Sequence, residues 1–152
     1  MSKVPERIIL VDGDENTRLS VKMFYEKRNE DNENAVMVTC SSGEELLLRL
    51  KIIAPDLVII GQNLDGIDGL ETIRAMREKP EGKDMPVIFL ADRKNLEMRN
   101  MYQKIGLAGI LYKPLNAIYL PDMIAQIWNS ISHEPEPEKV GASGGQESLS
   151  PA

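Results

Sequence analysis

Three short apolar runs constrain this chain more than any other feature: Ile8 to Val11, Leu57 to Ile60 and Val87 to Leu90, each without a polar interruption. A strand with one wetted face alternates apolar and polar residues. An unbroken run suits a strand covered on both faces, as in a parallel sheet between layers of helices. The first strand, Arg7 to Val11, ends in the turn-prone Asp12-Gly13-Asp14, so carboxylates gather at its C-terminal end. A helix follows from about Glu15 to Lys27 with Leu19, Met23 and Phe24 on a shared face, then the polar connection Asn29 to Asn34 and a second strand, Val36 to Thr39. Ser41 or Ser42 can cap a helix carrying Leu46, Leu47, Leu50 and Ile53, with Glu44 and Glu45 near its positive end and Pro55 closing it.

After the third strand, Asp68 can cap a helix that turns Leu70, Ile73 and Met76 inward and gives way to a loop, Lys79 to Met85. Beyond the fourth strand, Met98, Met101, Tyr102 and Ile105 mark another helix, and Gly109 to Tyr112 is a fifth strand broken by Lys113-Pro114. Leu120, Met123, Ile124, Ile127 and Ile131 form the clearest amphipathic stripe. Five strands alternating with five helices imply right-handed crossovers and helices on both faces, hence a three-layer doubly wound α/β sandwich. Strand order 2-1-3-4-5, flavodoxin-like, places the ligand crevice at the carboxyl ends of strands one and three. Asp12 and Gly61 both fall there.

At 152 residues and 42% hydrophobic side chains, the chain has room for one domain plus a tail. The expected division is an N-terminal arm at 1–6, the domain at 7–132 and a Pro/Glu/Gly/Ser-rich tail at 133–152, whose composition cannot offset ordering entropy and is expected to be disordered. The formal net charge of −6 argues against a nucleic-acid surface. Cys40 is the only cysteine, which excludes an internal disulfide or thiolate metal cluster and reads as a small buried strand residue. No run approaches the roughly 18 to 20 apolar residues a membrane span needs, and the first residues carry no signal-peptide core; a cytoplasmic location is expected.

Several separated motifs arrive in a telling order: LVDGDEN after the first strand, PDLVII with its Gly/Asp-rich loop, PVIFLA, and GLAGILYKP. From Arg7 to Ser132 the chain resembles the receiver domain of bacterial two-component response regulators. In that family a Leu-Pro-Gly-any-Asp-Gly loop follows the acceptor strand; Leu64, Gly66, Asp68 and Gly69 keep the pattern, and Asp65 replaces the proline. The resemblance implies a site in which acidic-box carboxylates and an acceptor aspartate hold Mg²⁺, while a hydroxyl residue and a lysine bind the phosphoryl group. Those parts supply the positioning and charge stabilisation that phosphoryl transfer needs.

Carried over residue by residue, Asp12 matches the first acidic-box position, but the usual metal-ligating second position is Gly13. Gly61 stands at the phosphoacceptor position and Ala91 at the switch hydroxyl. Lys113 and Pro114 match, and Asn63 matches a position that offers only its backbone carbonyl. A glycine has no nucleophile. The resemblance so altered implies a degenerate pseudo-receiver with an atypical acceptor site: not an enzyme, no catalytic residue, no cofactor, Mg²⁺ weak or absent with Asp12 vestigial, and a surviving Asp12 able to pair with Lys113.

Function then falls to a protein-binding surface. In the family this is the face of the fourth helix, fifth strand and fifth helix, where Tyr102, Ile110, Tyr112, Tyr119, Met123 and Trp128 are candidates, most of the tyrosines, Met123 and Trp128 also reading as edge-of-core residues. The expected partner is a signalling protein or output domain, or a second copy in a homodimer, with neither nucleic acid nor membrane. One alternative is a displaced acceptor at Asp12, Asp14 or Asp65, although Asp14 also reads as a helix cap and Asp65 as a turn residue. Another is a flavin or nucleotide enzyme of the same topology, against which Asp12-Gly13-Asp14-Glu15 would repel phosphate where such enzymes cradle it. His133, alone at the start of the tail, reads as uninvolved in chemistry.

Overall fold

The structure, a computed structural model, describes residues 4–92, 100 and 103–131. Strands β1 (Arg7–Val11), β2 (Val36–Cys40), β3 (Leu57–Gly61), β4 (Val87–Ala91) and β5 (Gly109–Tyr112) form one parallel sheet in the order β2-β1-β3-β4-β5. The runs without polar interruption are the three central strands, and residues 8–11, 57–61 and 87–91 are all buried. Register brings the strand ends level: Val11 opposes Cys40 and Ile60, Gly61 opposes Leu90, and Ala91 opposes Tyr112.

Helices cover both faces. Val21 and Tyr25 of α1 (Glu15–Arg28) and Leu120 and Ile124 of the C-terminal helix (Leu120–Ser130) pack on Ile8, Leu10, Leu57, Ile59, Ile88 and Leu90. Leu46 and Leu50 of α2 (Gly43–Ile53) and Ile73 and Met76 of α3 (Gly69–Arg77) pack on the alternate residues Ile9, Val11, Val58, Ile60 and Phe89. Each large aliphatic side chain so buried stabilises the fold by about 1.5–3 kcal/mol before entropy is counted. Local signals set the helix starts: Asp14 and Ser42 accept the backbone N–H groups of Thr17 and Glu45, and Asp68 forms a reciprocal capping box with Glu71.

Two expectations are corrected. On α1 the inward face is Val21 and Tyr25, whereas Leu19 is 60% and Met23 55% exposed and Phe24 is half-buried. Tyr25 fixes that choice: its ring fills the core and its hydroxyl donates to the Pro5 carbonyl at 2.5 Å, an anchor available to neither Leu19 nor Met23. In the C-terminal stripe, Leu120 and Ile124 are buried and Ile127 packs against them, but Met123 lies one position off that face and is exposed. Strands β2, β3 and β4 and helix α1 each run one residue further than their sequence limits. Met98, Met101, Tyr102, His133 and the tail lie outside the described residues, within which no helix is long and apolar enough to cross a membrane.

Candidate functional site

The ladders of the sheet deliver four positions to one crevice. Asp12 continues β1, its N–H donating to Cys40 O at 3.1 Å, and Lys113 continues β5, its N–H donating to Ala91 O at 2.8 Å. Gly61 and Ala91 are the terminal residues of β3 and β4. The Asp12 side chain is 1% exposed and has one oxygen, Oδ2, 2.9 Å from Lys113 Nζ; the lysine side chain keeps 26% of its surface in solvent. The other oxygen, Oδ1, accepts the Asp14 N–H at 2.9 Å. No aligned hydrogen bond reaches Oδ2 among the described residues, so the lysine charge is what balances this buried carboxylate.

Gly61 and Asp12 fit one another. A Cβ on residue 61 would lie 2.7 Å from Asp12 Oδ2 and 3.3 Å from its Cγ, so the carboxylate occupies the volume into which a side chain at 61 would grow. Gly13, next in the chain, would point a Cβ to within 3.3 Å of the Asn63 carbonyl oxygen. With no side chain there, that carbonyl faces no second carboxylate.

Two residues not singled out from the sequence, Gln62 and Asp92, join Asn63 in tying the ends of β3 and β4 together. Gln62 Oε1 accepts the Asp92 N–H at 3.1 Å, and Asn63 Nδ2 donates to the Asp92 carboxylate. The signal available beforehand was positional: Gln62-Asn63 and Asp92 directly follow neighbouring strand ends.

Asp14 is engaged as the α1 cap. Its Oδ2 accepts from Thr17 Oγ1 at 2.7 Å and from the Thr17 N–H at 3.3 Å, and the Thr17 hydroxyl bond foremost holds its carboxyl below the ordinary range. Asp65 is exposed in the loop after β3, where it bridges to Ser42. The same loop passes Gly66 at φ +80°, a conformation open to glycine, beside a Glu44 carboxylate that accepts the Ile67 N–H at 3.3 Å. The Lys113–Pro114 peptide is cis. Among the described residues no three His, Cys, Asp or Glu side chains converge as a metal site.

The candidate surface residues divide by environment. Tyr119 is 61% and Met123 40% exposed, whereas Ile110, Tyr112 and Trp128 are half-buried against the two cores. Cys40 is buried, and burial pushes its thiol up from the ordinary value.

The response regulator receiver domain family matches residues 8–125. The phosphate regulon transcriptional regulatory protein PhoB of Rhizobium meliloti is 30% identical over 121 residues, which are 80% of this chain and 50% of that regulator, so the chain spans half that relative's length. An uncharacterised 14.6 kDa protein of Leptolyngbya boryana is 28% identical over 78% of this chain and 87% of its own length. The chemotaxis response regulator CheY4 of Vibrio cholerae superposes with a TM-score of 0.69 at 21% identity, over 80% of this chain and 97% of that one, a likeness of fold. The match runs from β1 into the C-terminal helix and so takes in every strand of the sheet, and this chain belongs to the response regulator receiver domain family.

Proposed function

We propose that this receiver domain of the two-component signalling family works without phosphorylation, as a protein-interaction module and not as an enzyme. The observation that carries the reading is the Asp12 carboxylate, seated where a side chain at Gly61 would lie and held there by Lys113. Position 61 supplies no nucleophile. Ala91, at the neighbouring strand end, supplies no hydroxyl to receive a phosphoryl group.

The residues present do not fit the family's Mg²⁺ either. An Mg²⁺ site is usually anchored by one or two carboxylates plus phosphate oxygens, and the carboxylate here is already paired with a cation while Gly13 adds none. Of the displaced acceptors, Asp12 is buried and Asp14 is occupied as a cap, while Asp65 is exposed on the loop after β3, off the strand end where Gly61 stands. In-line attack tolerates little displacement, an error of about 1 Å costing on the order of a hundredfold. The partner is a signalling protein or an output domain, or a second copy, met in part through Tyr119 and Met123.

Beryllofluoride with Mg²⁺, watched by amide NMR, tests this. The expected spectrum leaves Asp12, Gly61, Ala91 and Lys113 unmoved; saturable shifts at these amides would show a working acceptor and remove the proposal.

A further inference from the structure

β2 is an edge strand: among the described residues its one strand neighbour is β1. Along a parallel strand the main-chain groups of successive residues point to alternate sides. The Val36 N–H donates to Glu6 O at 2.6 Å and Cys40 O accepts the Asp12 N–H at 3.1 Å, so Val36, Val38 and Cys40 serve β1. Met37 and Thr39, followed by the Ser41 N–H, therefore point outward. Such a row, repeating about every 6.6 Å, is a ready template for a strand from another molecule.

Two acid–base pairs occupy that row at its ends. On α1, Glu26 Oε2 accepts the Met37 N–H at 3.2 Å, Lys22 Nζ donates to Met37 O at 2.6 Å, and the two side chains pair with each other at 2.9 Å. On α2, which covers the opposite face of the sheet, Glu45 Oε1 accepts the Ser41 N–H at 3.0 Å while its Oε2 pairs with Arg49 at 3.2 Å. An acid and a base four residues apart can serve their own helix without touching a strand. Here the carboxylate of each pair also reaches the backbone of the sheet edge, one from each face. Among the described residues no side chain meets the outward groups of Thr39, which lies between the two occupied positions.

We propose that the Lys22–Glu26 and Arg49–Glu45 pairs stand in for an absent sixth strand and close the β2 edge to strand addition by a second copy of this chain. Met37 offers an incoming strand neither donor nor acceptor until Glu26 and Lys22 swing away, and the Ser41 N–H is already taken by Glu45. Thr39 alone gives a register too short to hold a strand.

Two measurements test this. In the unmodified chain, hydrogen exchange is expected to be slow at the Met37 and Ser41 amides and fast at Thr39; exchange at Met37 and Ser41 as fast as at Thr39 would show an unguarded edge and overturn the proposal. In the chain carrying Lys22→Ala, Glu26→Ala and Glu45→Ala, sedimentation velocity at rising concentration is expected to show a larger species than the unmodified chain forms, with the Thr39 amide gaining protection as that species appears. Adding Thr39→Pro removes the outward N–H and spares the bonds to β1, and is expected to return sedimentation to that of the unmodified chain. Far-UV circular dichroism checks that each variant is folded. A folded triple variant that sediments as the unmodified chain at every concentration would overturn the proposal, as would an assembly that persists with Thr39→Pro.

Discussion

A Cβ on Gly61 would meet the Asp12 carboxylate at 2.7 Å, so Gly61→Ala forces a buried, ion-paired group to move. The expected cost is about 1–3 kcal/mol, typical of overpacking, read as a lower urea midpoint at unchanged slope. Asp12→Ala removes the other half of the arrangement and strands Lys113. Breaking a buried pair costs up to about 5 kcal/mol, but Lys113 can turn its ammonium to water, so a loss of about 1–3 kcal/mol is expected. An unchanged midpoint would show that the pair contributes nothing. Thr17→Ala tests the Asp14 cap. The folded-state carboxyl lies below 3.8, so its contribution to stability is present above that pH and is lost as pH falls through the lower folded value. Without the Thr17 hydroxyl, the Asp14 side chain followed by carboxyl NMR should titrate closer to 3.8, and that part of the acid limb should flatten.

Elements were legible where one short-range signal dominated. Ser42 and Asp68 cap their helices because a side-chain oxygen there meets orphan N–H groups, and sequence alone exposes that pattern. The face of α1 was not legible, because Leu19 and Met23 are as apolar as the residues that win, and Tyr25 is chosen by a contact to Pro5 twenty positions away. The tie between the ends of β3 and β4 was hidden for the same reason: Gln62, Asn63 and Asp92 meet only once the strands are in register. Gln62→Ala should therefore speed hydrogen exchange at the Asp92 amide with little change in global stability, since it opens one part-buried hydrogen bond just past the strand ends and no core contact. Unaltered exchange there would mean that Gln62 does not protect it.

At the scale of the whole molecule, the order of the strands followed from alternation of buried runs and amphipathic helices, because right-handed crossovers leave few ways to cover a parallel sheet. The same topology sets the crevice at the rim of the core. Val11, Ile60 and Leu90 carry core contacts, and Asp12 and Gly61 just beyond the first two line the crevice, whereas Ala91 serves both, packed in the core with Val11, Ile60 and Phe89. The Asp12–Lys113 pair, foreseen as a possibility of neighbouring strand ends, spans from one side of β3 to the far side of β4 and could be measured only in three dimensions. The central claim is that this crevice has a paired carboxylate in place of a nucleophile. Intact-protein mass after incubation with acetyl phosphate and Mg²⁺ addresses it most directly: the account expects the unmodified mass, and an acid-stable, hydroxylamine-sensitive phosphoryl adduct on Asp12, Asp14 or Asp65 would contradict it.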